Sequence, residues 1–98
     1  MKLKDYRNDL IERLKDPEYS AAYLGAVLAE KDKAAFLTAL KDVVDANGGM
    51  TRVSKQAGVK RPSLYKVLSS RGNPTLETLQ DILEVLDLRV TVAPAEVA

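Results

Sequence analysis

Apolar residues recur at three- and four-residue spacing in four separate stretches of this chain, the period at which one face of a helix is buried. From Asp5 to Lys15 the inward positions are Tyr6, Leu10, Ile11 and Leu14, with charges between them. Asp16-Pro17-Glu18 then restarts the chain: Asp16 can cap free N–H groups, Pro17 suits a first turn, and Glu18 complements the positive end of a helix dipole. A second helix is predicted from about Pro17 to Glu30, with Tyr23, Leu24, Val27 and Leu28 inward. Asp32 opens a third, in which Phe36, Ala39, Leu40, Val43 and Val44 form the stripe and Asn47-Gly48-Gly49 ends it. Further on, Thr75 caps a helix whose inward positions are Leu76, Leu79, Ile82, Leu83 and Leu86. After Asp87 the period drops to two. Leu88, Val90 and Val92 alternate with Arg89 and Thr91, which predicts a short strand stopped by Pro94 and followed by a frayed tail.

Between the third helix and the last lies MTRVSKQAGVKRPSLYKVLS, residues 50–69, with apolar and small residues where two short helices joined by a tight turn need them. Val53 and Ala57 supply the inner face of the first helix, Gly58 the turn, Val59 the plug beneath it, and Leu64 with Val67 the inner face of the second. Ser54 sits where the helices come closest and a large side chain would part them. Ser69 to Pro74 then forms a loop whose Gly72 and Pro74 prevent a continuous helix.

Charge changes this picture from a fold to a binding surface. Between Asp45 and Glu77 there is no acidic residue, whereas Arg52, Lys55, Lys60, Arg61, Lys66 and Arg71 all fall in that interval. The interval carries six of the 15 basic residues and none of the 14 acidic ones, so it is +6 while the remainder is −5, behind a total of +1. Such a partition is the electrostatic footprint of a nucleic-acid binder. A single exposed Lys or Arg is ordinarily just solvated; six with no anion, on a separately recognised two-helix pattern, are not so easily dismissed.

On the second helix of the pair Leu64 and Val67, with Leu68 as a further candidate, face inward, which leaves Arg61, Ser63, Tyr65 and Lys66 outward, with Lys60 just before. Arg61 is the first choice for reading a guanine, because its planar fork donates to two acceptors at once. Lys60 and Lys66 suit phosphates, Ser63 a base or a phosphate, and Tyr65 either a thymine methyl and sugar or partial burial. Thr51 and Arg52 before the turn, and Arg71 with Asn73 after the second helix, are placed to grip the backbone on either side.

Composition mostly excludes. The 98 residues make one domain, with no second domain and no internal repeat. Cysteine and histidine are both absent, which removes disulfides, thiolate nucleophiles, the usual zinc ligands and imidazole proton transfer. No catalytic residue, metal or cofactor is expected, and carboxylates such as Asp81 and Glu84 read as surface charge, so the chain is not expected to be an enzyme. No apolar run approaches the ~20 residues of a membrane span and the start is charged where a signal peptide would be apolar, so a cytoplasmic location is expected.

With these residues laid out, the chain resembles the Cro and lambda-repressor class of helix-turn-helix proteins from about Lys33 to Leu88. Within that class it resembles the probable addiction-module antidote proteins, antitoxins encoded beside small ParE/RelE-like toxins. The resemblance is carried by YLGAVLAEKDKAAFLTALKDVVDANGGM before the turn and GVKRPSLYKVLSSRGNPTLETLQDILEVLDL after it. It implies an all-α, lambda-repressor-like bundle with two extra N-terminal helices and a short C-terminal β-strand. Residues 1–31 would form an N-terminal helical segment that binds a toxin, 32–88 the DNA-binding unit, and 89–98 the strand and tail. It also implies a homodimeric autorepressor of a pseudo-palindromic operator in double-stranded DNA, and a cognate toxin. Two positions depart from the wider class, where Gln is common at Met50 and Ser or Thr at Lys60; Met offers no amide to a phosphate, and Lys60 brings charge but caps poorly.

Two readings compete with an antitoxin. One is a stand-alone prophage-type regulator with the same DNA chemistry and no toxin. The other is an interaction module whose two-helix motif no longer binds DNA and would show no salt-sensitive affinity for any duplex.

Overall fold

The computed structural model describes residues 2–96, and the regular structure among them is six helices: α1 (Leu3–Arg13), α2 (Pro17–Ala29), α3 (Lys33–Ala46), α4 (Gly49–Ala57), α5 (Arg61–Val67) and α6 (Leu76–Val85). The starts follow the expected caps. Asp16 accepts from the Glu18 amide at 3.0 Å, Asp32 from Ala35 at 3.1 Å, and Thr75 from Thr78 at 3.1 Å. Each satisfies an N–H that the first turn of a helix leaves without an intrahelical partner.

Helix α3 is the spine: α1, α2 and α4 all pack against it, and α4 in turn packs against α5 and α6. Its buried residues are Leu37, Ala39, Leu40, Val43, Val44 and Ala46, so the stripe is deeper than expected on the Leu37 side, while Phe36 is only half-buried. Leu14, beyond the end of α1, and Leu24 of α2 belong to the same core as Val53, Leu64 and Ile82. The two N-terminal helices therefore share one hydrophobic interior with the rest. Two polar side chains secure that join. The Ser20 hydroxyl donates to the Leu14 carbonyl at 2.8 Å, and the Asn47 amide donates to the same carbonyl at 3.1 Å and to Val43 at 2.7 Å.

Several positions expected inward face solvent. Tyr6 is 61% exposed, Leu28 60% and Leu76 62%. Each lies at an outer edge of its stripe, where periodicity names a face but not whether a neighbouring helix covers it.

The expected C-terminal strand is absent: Leu88 to Glu96 have no regular structure, and the fold among the described residues is all-helical. A strand needs a ladder partner for its N–H and C=O groups, and the rest of the described chain is helix and loop. The alternation at 88–92 instead follows a sharp exit from α6. Asp87 takes a left-handed conformation, φ 60°, and the Leu88 amide donates back to the Leu83 carbonyl at 2.9 Å while Asp87 donates to Glu84 at 3.1 Å. This is the Schellman pattern of helix termination. It turns Leu88 onto the core and leaves Val90 and Val92 outside.

Candidate nucleic-acid interface

Helices α4 and α5 are joined by Gly58, Val59 and Lys60. Gly58 has φ 72° and ψ 26°, a left-handed conformation that glycine adopts without a Cβ penalty. This turn lets both the Gly58 and Val59 amides donate to the Ser54 carbonyl, the latter at 3.0 Å. Ser54 itself is buried, and its hydroxyl is satisfied within its own helix by the Thr51 carbonyl at 3.0 Å. Leu64 is fully buried and fastens α5 to the core. Leu68 is buried and Val67 only half-buried, so of the two inward candidates after Leu64 it is Leu68 that lies deeper.

This packing decides what α5 presents. Lys60, Arg61, Ser63, Tyr65 and Lys66 are all exposed, as are Thr51, Arg52, Arg71 and Asn73. Lys55, counted in the basic run but not named as a contact, is exposed in the last turn of α4, and its charge was the only signal for it. Among the described residues none of the six cations of this interval is ion-paired with a carboxylate; the ion pairs involve Arg7, Arg13, Lys15 and Lys41.

The exposed residues are not equally available. The Arg61 guanidinium donates to the Tyr65 hydroxyl at 3.3 Å and lies 5.4 Å from the centre of its ring, so the two form one stacked unit a helical turn apart. Arg52 donates to the Asn47 carbonyl at 2.6 Å, closing the end of α3. That bond lays its side chain over Gly48, where a Cβ would collide with it. Asn73 accepts from Lys33 at 3.5 Å and so faces α3 as well. Gly72 is buried with its α-carbon against the Val67 carbonyl, leaving no room for a Cβ, and this draws the loop that carries Arg71 against the end of α5. Lys60 makes no side-chain cap bond, and Pro62 sits in the first turn in its place.

Helices α1 and α3 instead carry paired charges. Arg7 reaches Asp42 at 3.0 Å and Asp45 at 3.6 Å, and Lys41 reaches Asp45 at 3.0 Å. The Tyr23 hydroxyl donates to Asp42 at 3.4 Å; partial burial first, and then the Asp42 charge, push its pKa above the ordinary tyrosine value. Among the described residues no cluster of His, Cys, Asp or Glu could hold a metal ion, and no helix is long and apolar enough to cross a membrane.

Residues 4–94 match the family model for "Probable addiction module antidote protein", from the first turn of α1 to Pro94 in the tail. The chain belongs to that family. A relative in Haemophilus influenzae is 35% identical over 96 residues, covering 98% of this chain and 96% of its own length, and is described as an uncharacterized protein. No solved structure matches the chain. As an addiction module antidote, the protein has a toxin as its counterpart in general terms, and the match includes both N-terminal helices as well as α4 and α5.

Proposed function

We propose that this antidote protein is a helix-turn-helix antitoxin of the Cro and lambda-repressor class that represses its own operon and neutralises a ParE/RelE-like toxin. The observation that carries the DNA half is the set of six exposed cations, unpaired with any carboxylate among the described residues, on and around α4 and α5. The major groove admits a helix, and base edges there display a distinct pattern for each base pair. Helix α5 enters it with Arg61 on a guanine, Tyr65 beside it, and Ser63 against a base or phosphate. Lys60, Lys66, Thr51, Arg71 and the remaining donors of Arg52 hold phosphates on either side, and Asn73 joins them where Lys33 releases it. One such helix buries too little surface for tight specific binding, so the active species is a homodimer with two helices about 34 Å apart on a pseudo-palindromic site.

The toxin surface is assigned to residues 1–31. Leu3, Tyr6 and Tyr19 are 84%, 61% and 37% exposed there and offer a partner apolar and aromatic contacts. The protein's site of action is the cytoplasm, where DNA and toxin meet.

The test is a titration against the duplex upstream of the protein's own gene and against unrelated duplex, with and without the product of the adjacent gene. Binding tighter for its own duplex by roughly a thousandfold supports the reading. Equal affinity for both duplexes would reduce the protein to a non-specific binder, and no complex with any neighbouring gene product would favour the stand-alone regulator.

A further inference from the structure

An apolar groove of about 470 Å³ takes no lining residue from α4 or α5, and of the residues assigned to DNA above only Asn73 lines it. Leu24 and Leu28 of α2, Phe36 of α3, Leu79 and Leu83 of α6, and Val90 of the extended tail form its walls. Leu28 and Val90 leave 60% and 43% of their surface to solvent. The charged lining residues are Lys33 and Arg89, both cations, and no carboxylate lines the groove. Neither cation is ion-paired among the described residues. The complementary occupant is a short run of small apolar residues bearing one negative charge.

The chain itself carries such a run. Val92-Ala93-Pro94-Ala95-Glu96 follows directly on the groove wall, has one charge, a carboxylate, and begins with a valine that is 93% exposed. It does not occupy the groove of its own chain. Arg89, Val90 and Thr91 already line that groove, and Pro94 disfavours a tight reversal at Ala93, so the tail runs on instead of doubling back. A second copy has no such constraint.

We propose that residues 92–96 of one copy lie in the groove of a second, with Val92 covering Leu28 and Glu96 facing Lys33 and Arg89, reciprocally about a two-fold axis. The contact is isologous and closes at two copies. It buries the apolar surface left bare at Leu28, Val90 and Val92, and leaves α5 of both copies uncovered. The proposal rests on the homodimer reading above and names the surface that builds it.

Sedimentation equilibrium of the full chain and of Val92→Asp, Leu28→Asp and Lys33→Glu tests it, with thermal melts by circular dichroism as the check on folding. The unchanged chain should dimerise, and each variant should weaken the dimer by roughly tenfold or more. An equimolar mixture of Val92→Asp with Leu28→Asp should associate more tightly than either alone. The mixed pair keeps one intact tail-in-groove contact, and a contact already broken by one Asp is not broken further by the other. If Leu28→Asp melts early, Val92→Asp and Lys33→Glu carry the same test. A dimer untouched by the variants would overturn the proposal and leave the homodimer reading standing, whereas a monomeric unchanged chain would remove both. Variants that turn monomeric without recovery on mixing would overturn the exchange. An unchanged dimer in which Leu28→Asp loses the toxin would assign the groove to the toxin instead.

Discussion

Leu64 and Arg61 lie three residues apart on α5 and answer to different forces. Leu64 is fully buried between α5 and the core, so Leu64→Ala loses transfer energy and leaves a cavity, and should destabilise the fold by about 2–5 kcal/mol in denaturant unfolding. Arg61 contributes to no core; its guanidinium is held by Tyr65, 3.3 Å away. Arg61→Ala should cost about 1–3 kcal/mol of binding and relax preference at one base pair, whereas Lys66→Ala should weaken all sequences alike. Uniform losses from both would make Arg61 a phosphate contact. Tyr23 provides a pH-dependent term. Its pKa is raised in the fold, so its contribution is complete below the ordinary tyrosine pKa of about 10 and disappears as pH climbs through the higher folded value. Lysines titrate in the same range, so the comparison is with Tyr23→Phe: between about pH 9 and about pH 11 the unchanged protein should lose more stability than the variant.

At the scale of elements, the helix starts were legible because a cap is a local event. Asp16, Asp32 and Thr75 each bind an amide two or three residues on, and no distant residue decides the matter. Thr75→Ala should therefore cost about 0.5–2 kcal/mol, read as a lower unfolding midpoint, with α6 the first helix to lose amide-exchange protection. The strand at 88–92 failed for the converse reason. Alternation at Leu88, Val90 and Val92 states which side each residue would face in a sheet, but a ladder must come from elsewhere and the described fold contains none. Stripe edges misled in the same way, since the exposure of Leu28 and Leu76 depends on whether a neighbouring helix extends far enough to cover them.

For the whole molecule the decisive quantity is the separation of charge. The +6 interval survives folding as an exposed set on α4, α5 and the loop after them, while Arg7 of α1 and Lys41 of α3 are paired with Asp42 and Asp45 of α3. A dimer making roughly six to ten phosphate contacts should show log K falling against log salt with a slope of about −5 to −9. A slope shallower than about −3, measured by anisotropy on the upstream duplex, would overturn this number of phosphate contacts.

Periodicity, caps and the acid-free interval determined the all-helical core, the six helices with their approximate bounds, and the outward set on α5, because these depend on residues within a turn or two of one another. Tertiary structure alone decided that α1 and α2 share the core of the remaining helices, through Leu14 and the two side chains that bond its carbonyl. It alone showed that Arg52 and Asn73 have partners at Asn47 and Lys33, and that an apolar groove opens beside the tail. The Lys33–Asn73 bond alone joins residues 40 positions apart, and the groove and core join residues further apart still. Their separation is set by how helices pack, and no local pattern of residues encodes it.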